Sequence, residues 1–248
     1  MDRARFSRIA HRFLPVAAPL DERDVREVLK LLPLAAGWRV LDVGCGRAAM
    51  LLDIVAERGV RGTGVDVDAE ALRAASAAAQ ARRCADRLTV VEARALDFVP
   101  EAPYDLTLCI AASHALGGPG PALEHLARWT RPGGHALWGE GFWRRDPDPA
   151  YLAAIGASQD ELSTHHGNAA LAREQGWSVA WSSVTSDACW DRYEGLYRLG
   201  MARFLAEHPD DPEASAFRER GERWYDSYLQ WGRDTMGFAL YLLERRVT

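Results

Sequence analysis

The residues with the clearest chemical meaning are two aspartates and two glycines early in the chain. Asp42 lies in the apolar run of residues 40–43, and Gly44 and Gly46 follow one residue apart. This order predicts a buried strand, a tight turn and a helix start, and glycine lets a ligand approach the backbone closely. Asp66 ends the next apolar run, where an acid suits the two hydroxyls of a ribose. Together these residues predict a nucleotide-binding site.

The charge of Asp42 discriminates between two kinds of nucleotide cofactor. A dinucleotide places its pyrophosphate at the glycine turn, where a neighbouring carboxylate would repel it. S-adenosylmethionine (SAM) has no phosphate, and its sulfonium and ammonium groups would be attracted by a carboxylate. The sequence therefore favours SAM over NAD. A Tyr-x-x-x-Lys pair, which an NAD-dependent oxidoreductase could use, is absent from this chain, whose one lysine is Lys30.

Four short motifs in the first part of the chain resemble those of small-molecule class I SAM-dependent methyltransferases. They are residues 40–46 (VLDVGCG), 64–68 (GVDVD), 104–106 (YDL) and 131–134 (RPGG). The resemblance implies a seven-stranded sheet with SAM bound at the carboxyl ends of its strands. It also implies methyl transfer from SAM to an acceptor. The alternative is a SAM-binding protein without catalysis, acting as a sensor or a partner subunit.

The resemblance assigns the methionine and ribose parts of SAM to the first two motifs. The methionine moiety would lie along Gly44, Cys45 and Gly46. Asp42 would attract its ammonium group, and Asp66 would accept hydrogen bonds from the ribose. Two alternatives remain open: Asp66 could cap the following helix, and Cys45 could be a small buried side chain.

The adenine contacts are less clear from the sequence. Val67 would lie against the adenine ring. After the third strand, this chain has alanine or arginine where many relatives carry an aspartate for the adenine amino group. Asp97 is the candidate that remains, and it could equally be a loop acid exposed to water.

Methyl transfer from a sulfonium needs alignment, exclusion of water and sometimes removal of one proton. His114 follows the predicted fourth strand and could act as a base, because histidines titrate near neutral pH. Glu140 ends the fifth strand and could bind a cationic amine or accept a proton. Alternatively, His114 could bond a loop carbonyl, and Glu140 could form a salt bridge with Arg144 or Arg145. No carboxylate cluster has metal-ligand spacing, so no metal is predicted.

Aromatic residues are concentrated in the second half of the chain, which contains seven of the nine tryptophans. Such side chains could enclose an apolar or cationic acceptor by stacking and cation–π contact. The predicted substrate-binding residues are Trp143, Trp181, Trp190 and Tyr193. The same spacing is also typical of an ordinary helical core face, and this alternative stays open.

The predicted cofactor and catalytic residues are positioned by an alternation of strands and helices between residues 37 and 140. Strands are predicted over 39–43, 61–66, 87–92, 104–110 and 134–140. Helices are predicted over 47–58, 68–82 and 120–130. This alternation predicts an α/β fold with a doubly wound, mostly parallel sheet. The resemblance adds an antiparallel seventh strand at the end of the chain.

The whole chain is interpreted as one domain whose core carries helical additions. Residues 1–36 form a helical cap, residues 37–140 the SAM-binding core, residues 141–235 a helical substrate lid, and residues 236–248 the last strand. Within the lid, residues 150–176 are predicted as helices with gaps near Gly156 and Gly167. Strand six follows over 178–185, and two further helices over 188–207 and 213–231.

The composition limits which functions and which cellular compartments are compatible with the chain. The formal net charge of −5 argues against a nucleic-acid partner, which requires a basic surface. The Asn/Asp-Pro-Pro-aromatic motif of nucleobase methyltransferases is also absent after the fourth strand, so a small-molecule acceptor is predicted. Four separated cysteines and an N-terminal stretch without a long apolar run predict a cytoplasmic protein without a secretory signal or membrane span.

Overall fold

The computed structural model describes residues 2–247, and its centre is a seven-stranded sheet. The strands are β1 Arg39–Val43, β2 Arg61–Asp66, β3 Leu88–Glu92, β4 Tyr104–Ile110, β5 Thr130–Trp143, β6 Trp177–Val184 and β7 Met236–Arg245. Their order across the sheet is β3-β2-β1-β4-β5-β7-β6. The first five strands pair in parallel, and β7 runs antiparallel to both β5 and β6. This confirms the predicted doubly wound α/β fold with an antiparallel last strand.

Helices accompany the sheet and extend beyond it. They are α1 Arg3–Ala10, α2 Glu22–Leu31, α3 Ala49–Arg58, α4 Ala69–Ala81, α5 Pro119–Trp129, α6 Pro149–Ile155, α7 His165–Glu174, α8 Asp187–Glu207 and α9 Ala214–Ser227. Strand β1 contributes Leu41 and Val43 to one apolar cluster and Val40 to another. Successive side chains of a strand point to opposite faces, so β1 is buried on both. This explains its nearly continuous apolar sequence.

The order of the strands leaves a crevice beside β1. From β1 the chain winds through β2 to β3 on one side, and then returns to place β4 on the other side. At such a switch point the loops after two neighbouring strands diverge, and ligands bind between them. The loops concerned are the glycine turn after β1 and a 3₁₀ turn, Ser113–Leu116, after β4.

The N-terminal helix packs on the helical insertion. Phe6 is buried against Met201 of α8 and Phe217 of α9. Gly200 permits this close approach, because a Cβ atom there would lie 2.5 Å from the carbonyl oxygen of Ala10. The segment that follows α1 is thereby held over the carboxyl ends of the strands.

Three local differences from the sequence prediction have physical causes. Helix α3 begins at Ala49 rather than residue 47, because Ala48 adopts a left-handed conformation with φ +53°. Strand β5 begins at Thr130 rather than residue 134, since Thr130 pairs with Tyr104 before a register shift. The predicted gap near Gly167 lies slightly earlier, at residues 162–164: Gly167 itself donates its backbone N–H to Thr164 Oγ1 at 3.0 Å within the first turn of α7.

Candidate cofactor cleft and active site

The glycine turn after β1 is tightly constrained. Gly44 has a φ of +68°, and a Cβ atom there would lie 2.5 Å from Ala112 Cβ. The backbone N–H groups of Gly44 and Cys45 both donate to the Val65 carbonyl oxygen, at 2.9 and 3.1 Å. The turn is therefore fixed between the ends of β2 and β4, and its main chain lies open to the crevice.

Asp66 holds this turn to the end of β2. Its Oδ2 accepts a hydrogen bond from the Gly46 N–H at 2.7 Å, and its Oδ1 accepts one from the Asp68 N–H at 2.8 Å. The cap of α4 is Asp68 instead, whose Oδ1 accepts from the Glu70 N–H at 2.9 Å. Asp66 is thus preorganised with its remaining lone pairs available to a ligand.

A cleft of about 440 Å³ opens where these elements meet. The glycine turn and the end of β2 form one wall, and the 3₁₀ turn after β4 forms another. The N-terminal segment forms a third wall, which includes Ser7, His11 and Val16. This segment therefore covers one side of the cleft.

Asp42 gives the bottom of the cleft an unusual electrostatic character. Its side chain is buried, and desolvation together with the neighbouring Asp66 raises the pKa of this carboxyl to about 8. A cationic ligand would favour the ionised form of Asp42 by direct Coulomb attraction. The cleft is therefore suited to a ligand with positive charge at this point.

Three basic side chains on the cleft wall were missed in the sequence interpretation: Arg8, His11 and Arg47. Arg8 forms an ion pair with Asp68 at 3.3 Å. Among the residues that the structure describes, the Arg47 guanidinium makes no ion pair, so it is available to a ligand carboxylate. The only sequence signal was the position of Arg47 directly after the second glycine.

His11 forms a hydrogen-bonded pair with the insertion helix. Its Nε2 lies 2.9 Å from the Tyr193 hydroxyl, and its Nδ1 lies 2.7 Å from the Ser7 carbonyl oxygen. The ring also contacts Tyr197 edge-on, with ring centroids 4.9 Å apart. Burial, followed by the nearby Arg47 charge, lowers the His11 pKa. No sequence pattern connects two residues so far apart in the chain.

Most of the predicted cofactor residues line this cleft. They are Asp42, Gly44, Cys45, Gly46, Asp66 and Val67. Asp97 does not: its side chain is exposed, and Ala93 and Ala95 form the cleft wall after β3 instead. The structure thus leaves the adenine role of Asp97 without geometric support, because the loop turns the carboxylate outward.

The two predicted catalytic residues lie in different environments. His114 lines the cleft, and its catalytic role stays a prediction. Glu140 is buried away from it, where Oε1 accepts from the Gly141 N–H at 3.0 Å and burial raises the carboxyl pKa. The salt bridges suggested for Glu140 are not formed. Arg144 pairs with Asp187 at 2.7 Å and Arg145 with Asp234 at 3.6 Å.

The predicted substrate-binding tryptophans do not line the cleft. Trp143 donates its indole N–H to the Gln159 carbonyl at 2.8 Å. Trp181 lies on β6, three strands from β4 and therefore about 14 Å away across the sheet. Trp190 is buried in an apolar cluster against which Ile110 of the cleft wall packs. Trp143 and Trp181 thus lie outside this cleft, and their substrate-binding role stays a prediction, while Tyr193 approaches the site through His11.

Residues 2–247 contain neither a metal-binding cluster nor a membrane-spanning helix. No group of three or more histidine, cysteine, aspartate or glutamate side chains in this range is arranged to hold a metal ion. Within the same range, no helix combines the length and the apolar character required to cross a bilayer.

Comparison with known proteins agrees with this architecture. The pattern of a family described as a methyltransferase domain matches residues 40–134. A SAM-dependent methyltransferase from Geobacter sulfurreducens, solved with S-adenosylhomocysteine, superposes with a TM-score of 0.91 at 28% identity, and covers 98% of both chains. The uncharacterized protein YjhP of Escherichia coli K12 is 28% identical over 248 residues, 99% of this chain and 100% of YjhP.

A third relative has a more specific name. The 27-O-demethylrifamycin SV methyltransferase of Amycolatopsis mediterranei is 27% identical over 208 residues, which cover 77% of this chain and 76% of that protein. The strand order and the cleft at the β1 and β4 ends define a class I methyltransferase fold. The match over residues 40–134 and the shared fold support a SAM-dependent methyltransferase, an enzyme that uses SAM as methyl donor.

Proposed function

We propose that this enzyme transfers the methyl group of SAM, bound in the cleft beside the glycine turn, to a small-molecule acceptor. One observation carries the proposal: Asp42 and Asp66 flank a fixed glycine turn and face the same cleft. The cofactor supplies a methyl group on a sulfonium, which is already an activated leaving group. The protein contributes binding, alignment and exclusion of water.

The residues of the cleft fit the parts of SAM. Asp42 would attract the ammonium group, and Asp66 would bind the ribose hydroxyls with the lone pairs that the backbone leaves free. Arg47 would neutralise the carboxylate of the methionine moiety. Val67, which is exposed at the cleft edge, would cover one face of the adenine. Together these residues would match the ammonium, ribose, carboxylate and adenine groups of SAM.

The size and coverage of the cleft support a small acceptor. The N-terminal segment crosses the ends of the strands and is held to the core by the Arg8–Asp68 ion pair. A polymer would have to displace this segment, whereas a small molecule could enter beside it. The formal net charge of −5 also lacks the basic excess that nucleic acids require.

A non-catalytic SAM-binding role is the alternative, and turnover distinguishes the two. An enzyme would release S-adenosylhomocysteine when tritiated SAM is mixed with a set of phenols, alcohols and amines. A sensor would bind SAM without methyl transfer to any of them.

Titration calorimetry of Asp66→Ala tests the cofactor site directly. We expect SAM affinity to fall by about 1.5 to 3 kcal/mol, typical of lost charged hydrogen bonds. Asp86→Ala is the matched control, because Asp86 is exposed on the surface away from the cleft. Unchanged affinity in the Asp66 variant, or an equal loss in both variants, would contradict the proposed cofactor site.

A further inference from the structure

Two histidines line the cleft, and their surroundings differ. His114 is exposed, and its side chain makes no hydrogen bond or ion pair within residues 2–247. His11 is partly buried and is held at both ring nitrogens, by Ser7 and Tyr193. A ring fixed at both nitrogens has one orientation and one preferred tautomer.

The hydrogen bonds determine which nitrogen of neutral His11 carries the proton. The Ser7 carbonyl oxygen can only accept, so Nδ1, at 2.7 Å, must donate. Nε2 is then an acceptor, and the Tyr193 hydroxyl, at 2.9 Å, must donate to it. His11 therefore presents a basic nitrogen toward a hydroxyl donor.

The environment keeps His11 in this basic form at neutral pH. Burial and then the Arg47 charge lower the His11 pKa, so the neutral imidazole is favoured. Other charged or titratable groups of the cleft and of α8 also face this region: Arg8, Asp42, Asp66, Asp68, His114 and Tyr197. Burial of the Tyr193 phenol raises its pKa, so that it stays a hydroxyl donor.

The pair lies at the boundary between the cofactor cleft and the insertion. His11 lines the cleft, and Tyr193 is one turn along α8 from Trp190. Trp190 belongs to an apolar cluster against which Ile110 packs, and Ile110 lines the same cleft at the end of β4. An acceptor between β4 and α8 would reach His11 by replacing the Tyr193 hydroxyl with its own.

We propose that the acceptor carries a hydroxyl group and that His11 Nε2 accepts the proton of that hydroxyl during methyl transfer. This inference rests on the proposed function. The acceptor oxygen forms a bond to the methyl carbon, the carbon–sulfur bond breaks, and its electron pair stays on sulfur. The hydroxyl proton moves to Nε2 and later leaves to water. Tyr193 is a positioning residue, because before the acceptor binds its hydroxyl orients the ring and occupies the place that the acceptor oxygen then takes.

The first test measures transfer of the tritiated methyl group to catechol, with benzylamine as an amine comparison. We expect catechol methylation by the wild-type enzyme and a loss of about 100-fold in kcat for His11→Asn, typical of a removed base. Imidazole should restore part of the rate to His11→Gly, which leaves room for it. His166→Asn is the control, because His166 is exposed outside the cleft.

Tyr193→Phe separates positioning from a purely structural role. We expect kcat with catechol to fall by about tenfold while KM and the affinity for S-adenosylhomocysteine remain close to wild type. A structural role would change the affinity and KM together. If kcat, KM and the affinity for S-adenosylhomocysteine all worsened by a similar factor, the role assigned to Tyr193 would be contradicted.

A second test does not need an acceptor. ¹⁵N NMR of histidine-labelled enzyme with S-adenosylhomocysteine should show His11 as the neutral Nδ1–H tautomer at pH 7.5. The signal is identified by its loss in His11→Asn. An Nε2–H tautomer or an imidazolium at this pH would overturn the proposal.

The outcomes separate this inference from the proposed function. If His11→Asn retained more than about a third of the wild-type kcat, the inference would be overturned, because loss of a catalytic base lowers kcat far more. Methyl transfer by the enzyme would still stand in that case. SAM binding without methylation of catechol would overturn the hydroxyl assignment. Failure to bind SAM would instead defeat the proposed function itself.

Discussion

The cofactor side and the acceptor side of the cleft are built from different kinds of contact. On the cofactor side, Gly46 and Asp66 are 20 residues apart and share a hydrogen bond between backbone and side chain. On the acceptor side, His11 and Tyr193 are 182 residues apart and meet through side chains alone. The first arrangement follows from one strand–turn–helix unit and its neighbour. The second exists only when the N-terminal segment packs on helix α8.

Each region also contains one buried acid with a raised pKa. Asp42 on the cofactor side has a pKa of about 8. Glu194, beside Tyr193 on α8, has a pKa of about 7 because of burial, and its Oε2 accepts from the Trp224 indole N–H at 2.9 Å. Asp42 faces the cleft, so a ligand can change its charge. Glu194 lies among aromatic side chains, where its charge affects mainly folding.

The largest expected effect tests the rigidity of the cofactor side. Gly44→Ala places a methyl group 2.5 Å from Ala112 Cβ at a φ of +68°. Strain and overpacking of about 1 to 3 kcal/mol each should lower SAM affinity by at least about 30-fold in calorimetry. Gly156→Ala is the control, since Gly156 has a φ of +70° with nothing within 4 Å of an added Cβ. SAM affinity within fivefold of wild type would show that the turn is adaptable.

The next effect concerns the buried acid on the acceptor side. The Glu194 pKa is raised in the folded state, so protonated Glu194 stabilises the folded protein. This contribution to the free energy of unfolding is complete below the ordinary glutamate pKa and is lost as pH rises through about 7. Urea unfolding at pH 5 and pH 8 should show that Glu194→Gln removes about 3 kcal/mol of the wild-type difference. Exposed Glu101→Gln is the control. An unchanged pH dependence would contradict this explanation.

A smaller effect links Asp42 to cofactor binding. Below pH 8 the empty cleft holds Asp42 mainly protonated, and a cationic ligand favours the carboxylate. SAM affinity should therefore rise by nearly tenfold per pH unit between pH 6 and pH 7.5, about 1.4 kcal/mol per unit. Calorimetry in two buffers should detect the released proton. Asp42→Asn should abolish the release, and a wild-type protein that releases none would exclude this coupling.

The smallest effect is expected for Asp97. Its carboxylate is exposed and outside the cleft, so Asp97→Ala should change SAM affinity by less than about twofold, within the range of ordinary surface substitutions. Calorimetry alongside Asp66→Ala gives the comparison. A loss similar to that of Asp66→Ala would restore the adenine role predicted from the sequence.

The sequence allowed much of the cofactor side to be predicted. The bounds of β1, β2 and β4 agree with the apolar runs, because a parallel strand buried on both faces needs continuous apolar residues. The positions of Gly44 and Asp66 were also evident, since their roles depend on neighbouring backbone. The acceptor side was harder to predict. An aromatic side chain such as Trp143 has the same spacing whether it packs in a core or lines a site.

The amino-acid sequence by itself determined the α/β fold, the glycine turn and the two acids beside it, because these features depend on short-range periodicity and backbone conformation. Only the tertiary structure decided which histidine has a fixed tautomer, which basic residues reach the cleft and which tryptophans are core. The tautomer of His11 depends on the packing of α1 against α8 at Gly200, where two backbones approach closely. No local pattern in a sequence encodes such a meeting of distant segments.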